Sequence, residues 1–190
     1  MDYTPTPSQT VGPYLHLGLT DDRSVARIAS ERTKGQRVQM QFRVLDGDGE
    51  PVPDAMIELW QANADGKYRH PDDTQDKMLD PEFVGFGRLP TADDGCCIFE
   101  TIKPGRVPGP GGTLQAPHLN VSVFARGLLK RLTTRVYFSD DPANADDPVL
   151  SLVPEERRCT LMAQADPARV SGWRIDIHLC GDAETVFFDV

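Results

Sequence analysis

Apolar and polar residues alternate with a period of two along much of this chain. The clearest run is at 37–44, where one face holds Val38, Met40, Phe42 and Val44. A second clean alternation covers 173–179. Because successive side chains of a β-strand point to opposite faces, this period is typical of strands with one buried face.

The alternation and the turn residues between the runs predict an all-β fold with few helices. We place strands at 37–44, 55–62, 97–102, 119–125, 134–138, 160–164, 173–179 and 185–188. About eight short strands of this kind favour an antiparallel β-sandwich. A short helical turn is predicted at 141–145. Long loops at 63–88 and 103–117 are predicted to carry function, as long loops on a rigid sandwich usually do.

The first part of the chain lacks this alternation. Residues 1–16 are rich in Pro and Thr and predict an extended N-terminal arm, and 21–35 reads as a charged connector. We therefore treat 1–36 as arm and connector. No internal repeat or second domain is evident, so residues 1–190 are predicted to form a single domain, a length sufficient for a sizeable core.

Composition narrows the range of partners. The net charge of −9 disfavours nucleic acid, since phosphate binding needs a basic face. The beginning of the chain has no signal-peptide pattern, and no segment approaches the roughly 20 apolar residues of a membrane span. We therefore predict a cytoplasmic protein without a membrane partner. Its 4 cysteines match no zinc spacing and are expected to be reduced.

One histidine draws attention because it lies in a His-x-Asn step at the start of a predicted strand. His118 and Asn120 would share one face of that strand. A His-x-His pair at this spacing would place two imidazoles together, which is a common way to hold a metal. An Asn side chain is a poor ligand for a metal that prefers imidazole. The step is therefore part of a metal-site pattern that lacks its second imidazole.

Around this step, an ordered set of motifs runs from 57 to 127. They are Glu58-Leu59-Trp60-Gln61-Ala62-Asn63, Leu79-Asp80-Pro81-Glu82-Phe83, Thr101-Ile102-Lys103-Pro104-Gly105 and Pro117-His118. In this order they closely resemble the intradiol ring-cleavage dioxygenases. The segments at 6–14, 124–127 and 184–189 also resemble the α chain of the protocatechuate-cleaving branch, which is built from two related chains.

The resemblance implies a non-haem Fe(III) site held by two tyrosinates and two histidines. Carried over residue by residue, these ligands fall at Gln75, Val107, His118 and Asn120. An arginine that precedes the histidine pair in the iron-bearing chain falls at Gln115. Three of the four ligands are thus absent. The resemblance then implies that the iron is bound by a homologous β subunit and not by this chain.

The implied reaction is the intradiol cleavage of protocatechuate by O₂ to 3-carboxy-cis,cis-muconate, in a higher αβ oligomer. Gly12 and Pro13 match residues that line the substrate pocket of the partner, and Tyr14 lies beside them in the chain. Arg126 matches an arginine near that pocket. A guanidinium suits a carboxylate substrate, and a glycine lets the backbone approach a ligand closely. No catalytic residue is assigned to this chain.

Two other hypotheses remain open at the level of sequence. In the first, the chain is an independent dioxygenase whose altered metal site combines His118 with loop donors. Candidate donors are Tyr68, His70, Asp72, Asp73 and Asp76. In the second, the chain is a non-enzymatic sandwich module that binds a small aromatic molecule or another protein.

Overall fold

The computed structural model describes residues 5–21 and 25–189. Residues 1–4 of the predicted arm and 22–24 of the connector lie outside this description. The described residues form one α-helix, α1 (Pro13–Leu19), and ten strands. The strands are β1 (Arg37–Leu45), β2 (Met56–Trp60), β3 (Phe86–Pro90), β4 (Cys96–Ile102), β5 (Val107–Pro108), β6 (Leu114–Gln115), β7 (His118–Phe124), β8 (Leu132–Phe138), β9 (Met162–Asp166) and β10 (Gly172–His178).

Eight strands join into one mixed sheet, in the order β3-β2-β7-β8-β9-β10-β1-β4. Strand β9 links its two halves, since Ala163 pairs with Phe138 of β8 and Ala165 pairs with Trp173 of β10. The two ends of the order also come together. A connector segment joins them, because Val25 bridges to β3 and Arg27 bridges to β4. The sheet is therefore folded over until it is nearly a barrel.

The predicted β-rich architecture is confirmed, but its wholly antiparallel arrangement is wrong. Strand β1 runs parallel to β10, and β8 runs parallel to β9, whereas the other pairings are antiparallel. Alternation indicates which face of a strand is buried, but it does not indicate the neighbour or the direction of that neighbour. Parallel neighbours need a long crossover, which 139–161 supplies between β8 and β9 with three short 3-10 helices.

Seven of the eight predicted strands are present, within a residue or two at their ends. The predicted strand at 185–188 is wrong, because this segment packs on β8 as irregular chain. There Thr134 Oγ1 donates to the Val186 carbonyl at 2.7 Å. Strand β3 was not predicted, because its sequence does not alternate. The helical turn expected at 141–145 is present as the 3-10 helix Pro142–Asp146.

The core lies between the two halves of the folded sheet. On β1 the predicted apolar face is buried, and Phe42 meets Phe99 edge-to-face with 5.8 Å between ring centroids. Burial of each such side chain contributes about 1.5–3 kcal/mol. A smaller second cluster packs outside this core, beside the first residue of β7. It consists of Ala116, Tyr137, Leu150, Val153 and Leu161.

The prediction of a fully extended arm is wrong from Pro13 onward, because Pro13–Leu19 forms α1. Gly12 has extended backbone and serves as the N-cap, and Pro13 lies in the first turn, where its ring pre-sets φ and no hydrogen bond is lost. None of the helical residues is buried. His16 anchors the helix to Asp54 before β2, with 2.8 Å between Nδ1 and Oδ1. In the described part of the chain, no helix is long and apolar enough to cross a membrane.

Candidate functional site

A cavity of about 900 Å³ opens at the start of β7. Its walls come from β2, β3, β7 and β8, and from the loops that precede β3 and β7. All four positions to which the resemblance assigns iron ligands line it: Gln75, Val107, His118 and Asn120. The structure therefore brings these distant residues together around one space.

Three polar side chains meet on the floor of this cavity. Asn120 Nδ2 donates to the Tyr68 hydroxyl oxygen at 3.0 Å, and His118 Nε2 lies 3.5 Å from the same oxygen. His118 Nδ1 lies 2.8 Å from the Ala116 carbonyl oxygen. A carbonyl can only accept, so Nδ1 carries the proton and Nε2 accepts from Tyr68. The three groups thus satisfy one another.

Burial keeps the histidine and the tyrosine of this trio uncharged. It lowers the pKa of His118 to about 4, and the nearby Arg135 guanidinium acts in the same direction. Burial also raises the pKa of Tyr68 above its ordinary value. At neutral pH the floor therefore presents a neutral imidazole, a phenol and an amide.

Aromatic rings form one wall beside this floor. Trp60 of β2 stacks on Tyr68 with ring centroids 5.9 Å apart and planes inclined by 11°. His70 stands edge-on to Trp60 at 6.4 Å. Phe86 of β3 also lines the cavity, and the Arg88 guanidinium carbon lies 5.3 Å from the centre of its ring. The wall is apolar and flat, which suits a planar ligand.

Two arginines, Arg131 and Arg135, line the cavity, and Arg135 is the one on a strand beside the floor. It lies on β8 directly opposite Asn120 of β7, and its Nη1 donates to Gln115 Oε1 at 2.5 Å. Within residues 5–21 and 25–189, no carboxylate forms an ion pair with Arg135. Sequence reasoning missed this residue, because a charged residue on a half-buried strand looks like a solvated one. The resemblance places an arginine at position 115, where this chain has Gln115. The Arg135 guanidinium lies beside that position in the structure.

A buried carboxylate supports the floor from behind. Asp147 is almost fully buried and accepts from the Ala116 N–H at 2.7 Å and from the Tyr137 hydroxyl at 3.1 Å. It also accepts from the N–H groups of Val149 and Leu150 at 2.9 and 2.7 Å. Ala116 is thereby held where its carbonyl meets His118. The sequence analysis also missed Asp147. It lies in a segment with several Asp residues, and the neighbouring sequence does not indicate which of them is buried.

The donors at this cavity do not fit ferric iron. Fe(III) is a hard ion that favours anionic oxygen donors. Gln75 and Asn120 offer neutral amides, Val107 has an aliphatic side chain with no donor atom, and the Tyr68 hydroxyl oxygen already accepts from Asn120. The Gln75 amide is also turned into its own loop, where Nε2 donates to the Gly66 carbonyl at 2.9 Å. Among the described residues, no group of three or more His, Cys, Asp and Glu side chains is placed to hold a metal ion.

The four residues assigned to a partner pocket lie elsewhere. Gly12, Pro13, Tyr14 and Arg126 are all exposed and do not line the cavity. Arg126 follows the far end of β7, a strand of 7 residues and therefore about 20 Å long. There the Gly127 N–H donates to Thr10 Oγ1 at 2.7 Å. This hydrogen bond holds the arm beside the loop that carries Arg126.

Comparison with known proteins places the chain in a family. A family model described as dioxygenase matches residues 10–181. A protocatechuate 3,4-dioxygenase alpha chain from Burkholderia cepacia is 44% identical, and the alignment covers 97% of each chain. This chain belongs to the intradiol dioxygenase family.

Other intradiol dioxygenase relatives agree with that placement. A protocatechuate 3,4-dioxygenase beta chain from Burkholderia cepacia is 35% identical over 92% of this chain and 75% of its own length. Among solved structures, the dioxygenase domain of a carbohydrate-binding fusion protein from Streptomyces sp. SirexAA-E superposes with a TM-score of 0.63. That match covers 93% of this chain and 99% of the other at 23% identity, so it reports on the fold alone.

Proposed function

We propose that this chain is the α subunit of a protocatechuate 3,4-dioxygenase and that it works with a homologous, iron-bearing β subunit. The main support for this proposal is that the chain is more similar in sequence to an alpha chain than to a beta chain. Identity is 44% to an alpha chain and 35% to a beta chain, and the alpha-chain alignment is nearly end to end. The reaction of the complex is the cleavage of protocatechuate by O₂ to 3-carboxy-cis,cis-muconate.

The donor chemistry of the cavity supports a division of labour between the subunits. Neutral amides and an aliphatic side chain stand at three of the four ligand positions, and the remaining ligand, His118, is buried and hydrogen-bonded to Ala116. The Fe(III) is therefore assigned to the β subunit, and no catalytic step is assigned to a residue of this chain. The same observations argue against an independent dioxygenase with an altered metal site.

The far end of β7 is the part of this chain that we assign to the β-subunit pocket. Arg126 supplies a guanidinium for the substrate carboxylate, which binds such a group strongly. Gly12 allows close approach of the backbone, and Pro13 and Tyr14 form a wall. The hydrogen bond between Gly127 and Thr10 supports this assignment, because it places the arm and the arginine together on the surface.

Exposed apolar side chains at the same end support docking of a second chain there. Tyr14 and Leu17 are 84% and 61% exposed, and their spacing of three residues puts them on one face of α1. Leu129, just beyond Arg126, is also exposed. A larger αβ oligomer built from such pairs is part of the proposal.

The test is to purify the chain alone and after co-expression with its β subunit. Iron content, visible absorption and protocatechuate-dependent O₂ uptake are measured on both samples. We expect all three signals only in the complex. An isolated chain that is coloured and active would overturn the proposal in favour of an independent enzyme. Purification as a stable monomer that never joins the β chain would favour a separate binding module.

A further inference from the structure

The cavity at the start of β7 has the form of a ligand site although its donors do not fit iron. Its volume of about 900 Å³ lies within the roughly 300–1,000 Å³ typical of small-molecule pockets. Such pockets usually combine an apolar wall with a few convergent polar groups. Here the stacked pair of Trp60 and Tyr68 supplies the wall, and Asn120 and Arg135 supply polar groups.

The carboxylates that line this cavity are already engaged or turned to solvent. Glu58 accepts two hydrogen bonds from Arg88, at 2.8 and 2.5 Å. Asp73 accepts from the Tyr68 N–H at 2.7 Å and from the Gln75 N–H at 3.1 Å. The Asp72 side chain is 91% exposed. None of these carboxylates pairs with Arg135, whose guanidinium has donors left for another acceptor.

Arg135 brings positive charge to the floor of the cavity, because it lies on β8 directly opposite Asn120 of β7. A second arginine, Arg131, also lines the cavity. A negatively charged ligand is attracted by guanidinium groups placed in this way.

We propose that this cavity is a metal-free binding site for a small aromatic monocarboxylate, with Arg135 as the carboxylate anchor and Trp60 as the stacking surface. A planar guanidinium pairs with a carboxylate through two parallel hydrogen bonds. A ring attached to that carboxylate lies against the indole, and a ring hydroxyl meets the Tyr68 and Asn120 groups on the floor. This site needs neither iron nor the β subunit, so it stands apart from the proposed subunit function.

The test is calorimetric titration of the full, isolated chain, treated with a chelator, with 4-hydroxybenzoate as the probe. This acid has a ring, a carboxylate and a hydroxyl but cannot chelate iron. We expect saturable binding with one site per chain. The neutral analogue 4-hydroxybenzyl alcohol should bind at least tenfold more weakly to the same wild-type protein. Equal binding of the two compounds, or no binding of the acid up to millimolar concentration, would overturn the proposal.

Variants locate the site within the molecule. We expect Arg135→Gln to weaken binding of the acid at least tenfold and Arg135→Lys to weaken it less. The matched control is Arg174→Gln, which removes an exposed strand arginine outside the cavity and should bind as the wild type does. Quenching of tryptophan fluorescence by the acid should disappear in Trp60→Phe, which keeps the buried Trp173. Unchanged affinity of Arg135→Gln, or quenching that persists without Trp60, would contradict the assignment.

Discussion

The two ends of β7 carry chemistry of opposite kinds. At its first residue, His118 is buried and its neighbours satisfy one another through hydrogen bonds within this chain. Beyond its last residue, Arg126 and the nearby arm are exposed. At the first end, called the closed end below, the side chains of the cavity floor are hydrogen-bonded to one another. At the second, called the open end, the described residues present exposed charge and exposed apolar side chains. One strand therefore carries a buried, internally hydrogen-bonded cluster at one end and an exposed surface at the other.

The largest effect on stability is expected from replacing Asp147, the buried carboxylate that holds Ala116 in place at the closed end. Asp147→Ala removes a buried acceptor and leaves the Ala116 N–H and the Tyr137 hydroxyl without their partner. Lost hydrogen bonds to a buried charged group should lower the free energy of unfolding by about 3 kcal/mol. Chemical denaturation measures this loss. Asp146→Ala, at the adjacent exposed position, is the control and should change stability by less than about 0.5 kcal/mol.

Acid should destabilise the closed end through His118. Its folded-state pKa of about 4 lies below the ordinary value of 6.5, so the unfolded chain binds the extra proton first as the pH falls. Stability is therefore unaffected by this group above about pH 6.5 and falls between pH 6.5 and 4, by up to about 3 kcal/mol.

The variant His118→Asn should show a shallower loss of stability over that pH range, because its amide can still donate to the Ala116 carbonyl and carries no titrating group. Unfolding is measured by denaturant at several pH values. His70→Asn, which changes an exposed histidine of the same cavity rim, should keep the wild-type slope. Identical slopes for wild type and His118→Asn would show that the imidazole is not buried in its neutral form.

At the open end, Arg126→Ala should lower the activity of the αβ complex without affecting its assembly or the fold of this chain. Loss of a charge-assisted contact to the substrate carboxylate should reduce kcat/KM for protocatechuate by roughly 10- to 100-fold, with iron content unchanged. Steady-state kinetics and metal analysis of the αβ complex measure both. Lys130→Ala removes an exposed charge from the same loop and should have little effect. Loss of iron or of assembly in Arg126→Ala would contradict the assigned role.

The smallest effect is expected from Tyr68→Phe. This change removes the hydroxyl that joins Asn120 to His118 and keeps the ring that stacks on Trp60. The loss of one such bridging group should cost about 1 kcal/mol of stability. Thermal unfolding would detect it as a shift of a few degrees. A change within experimental error would mean that water replaces the hydroxyl without loss.

Much of the candidate site could be predicted from the sequence through motif order. The family resemblance that this order carries assigned the ligand positions to Gln75, Val107, His118 and Asn120, and all four line one cavity in the structure. Arg135 could not be found in this way, since its importance comes from a strand pairing that sets it opposite Asn120. The hydrogen bond between Gly127 and Thr10 could not be predicted from the sequence either, because it joins residues that are far apart in the chain.

By itself, the sequence determined the positions of seven of the eight strands of the sheet and their buried faces, because alternation is a local property of the chain. It missed β3, whose sequence does not alternate. It also determined which ligand types are missing, because residue identity decides donor chemistry. Only the tertiary structure decided that β1 pairs in parallel with β10, that His16 of α1 contacts Asp54, and that Arg135 and Trp60 line the same cavity. These features depend on contacts between distant segments, and such contacts form only when the sheet folds over on itself.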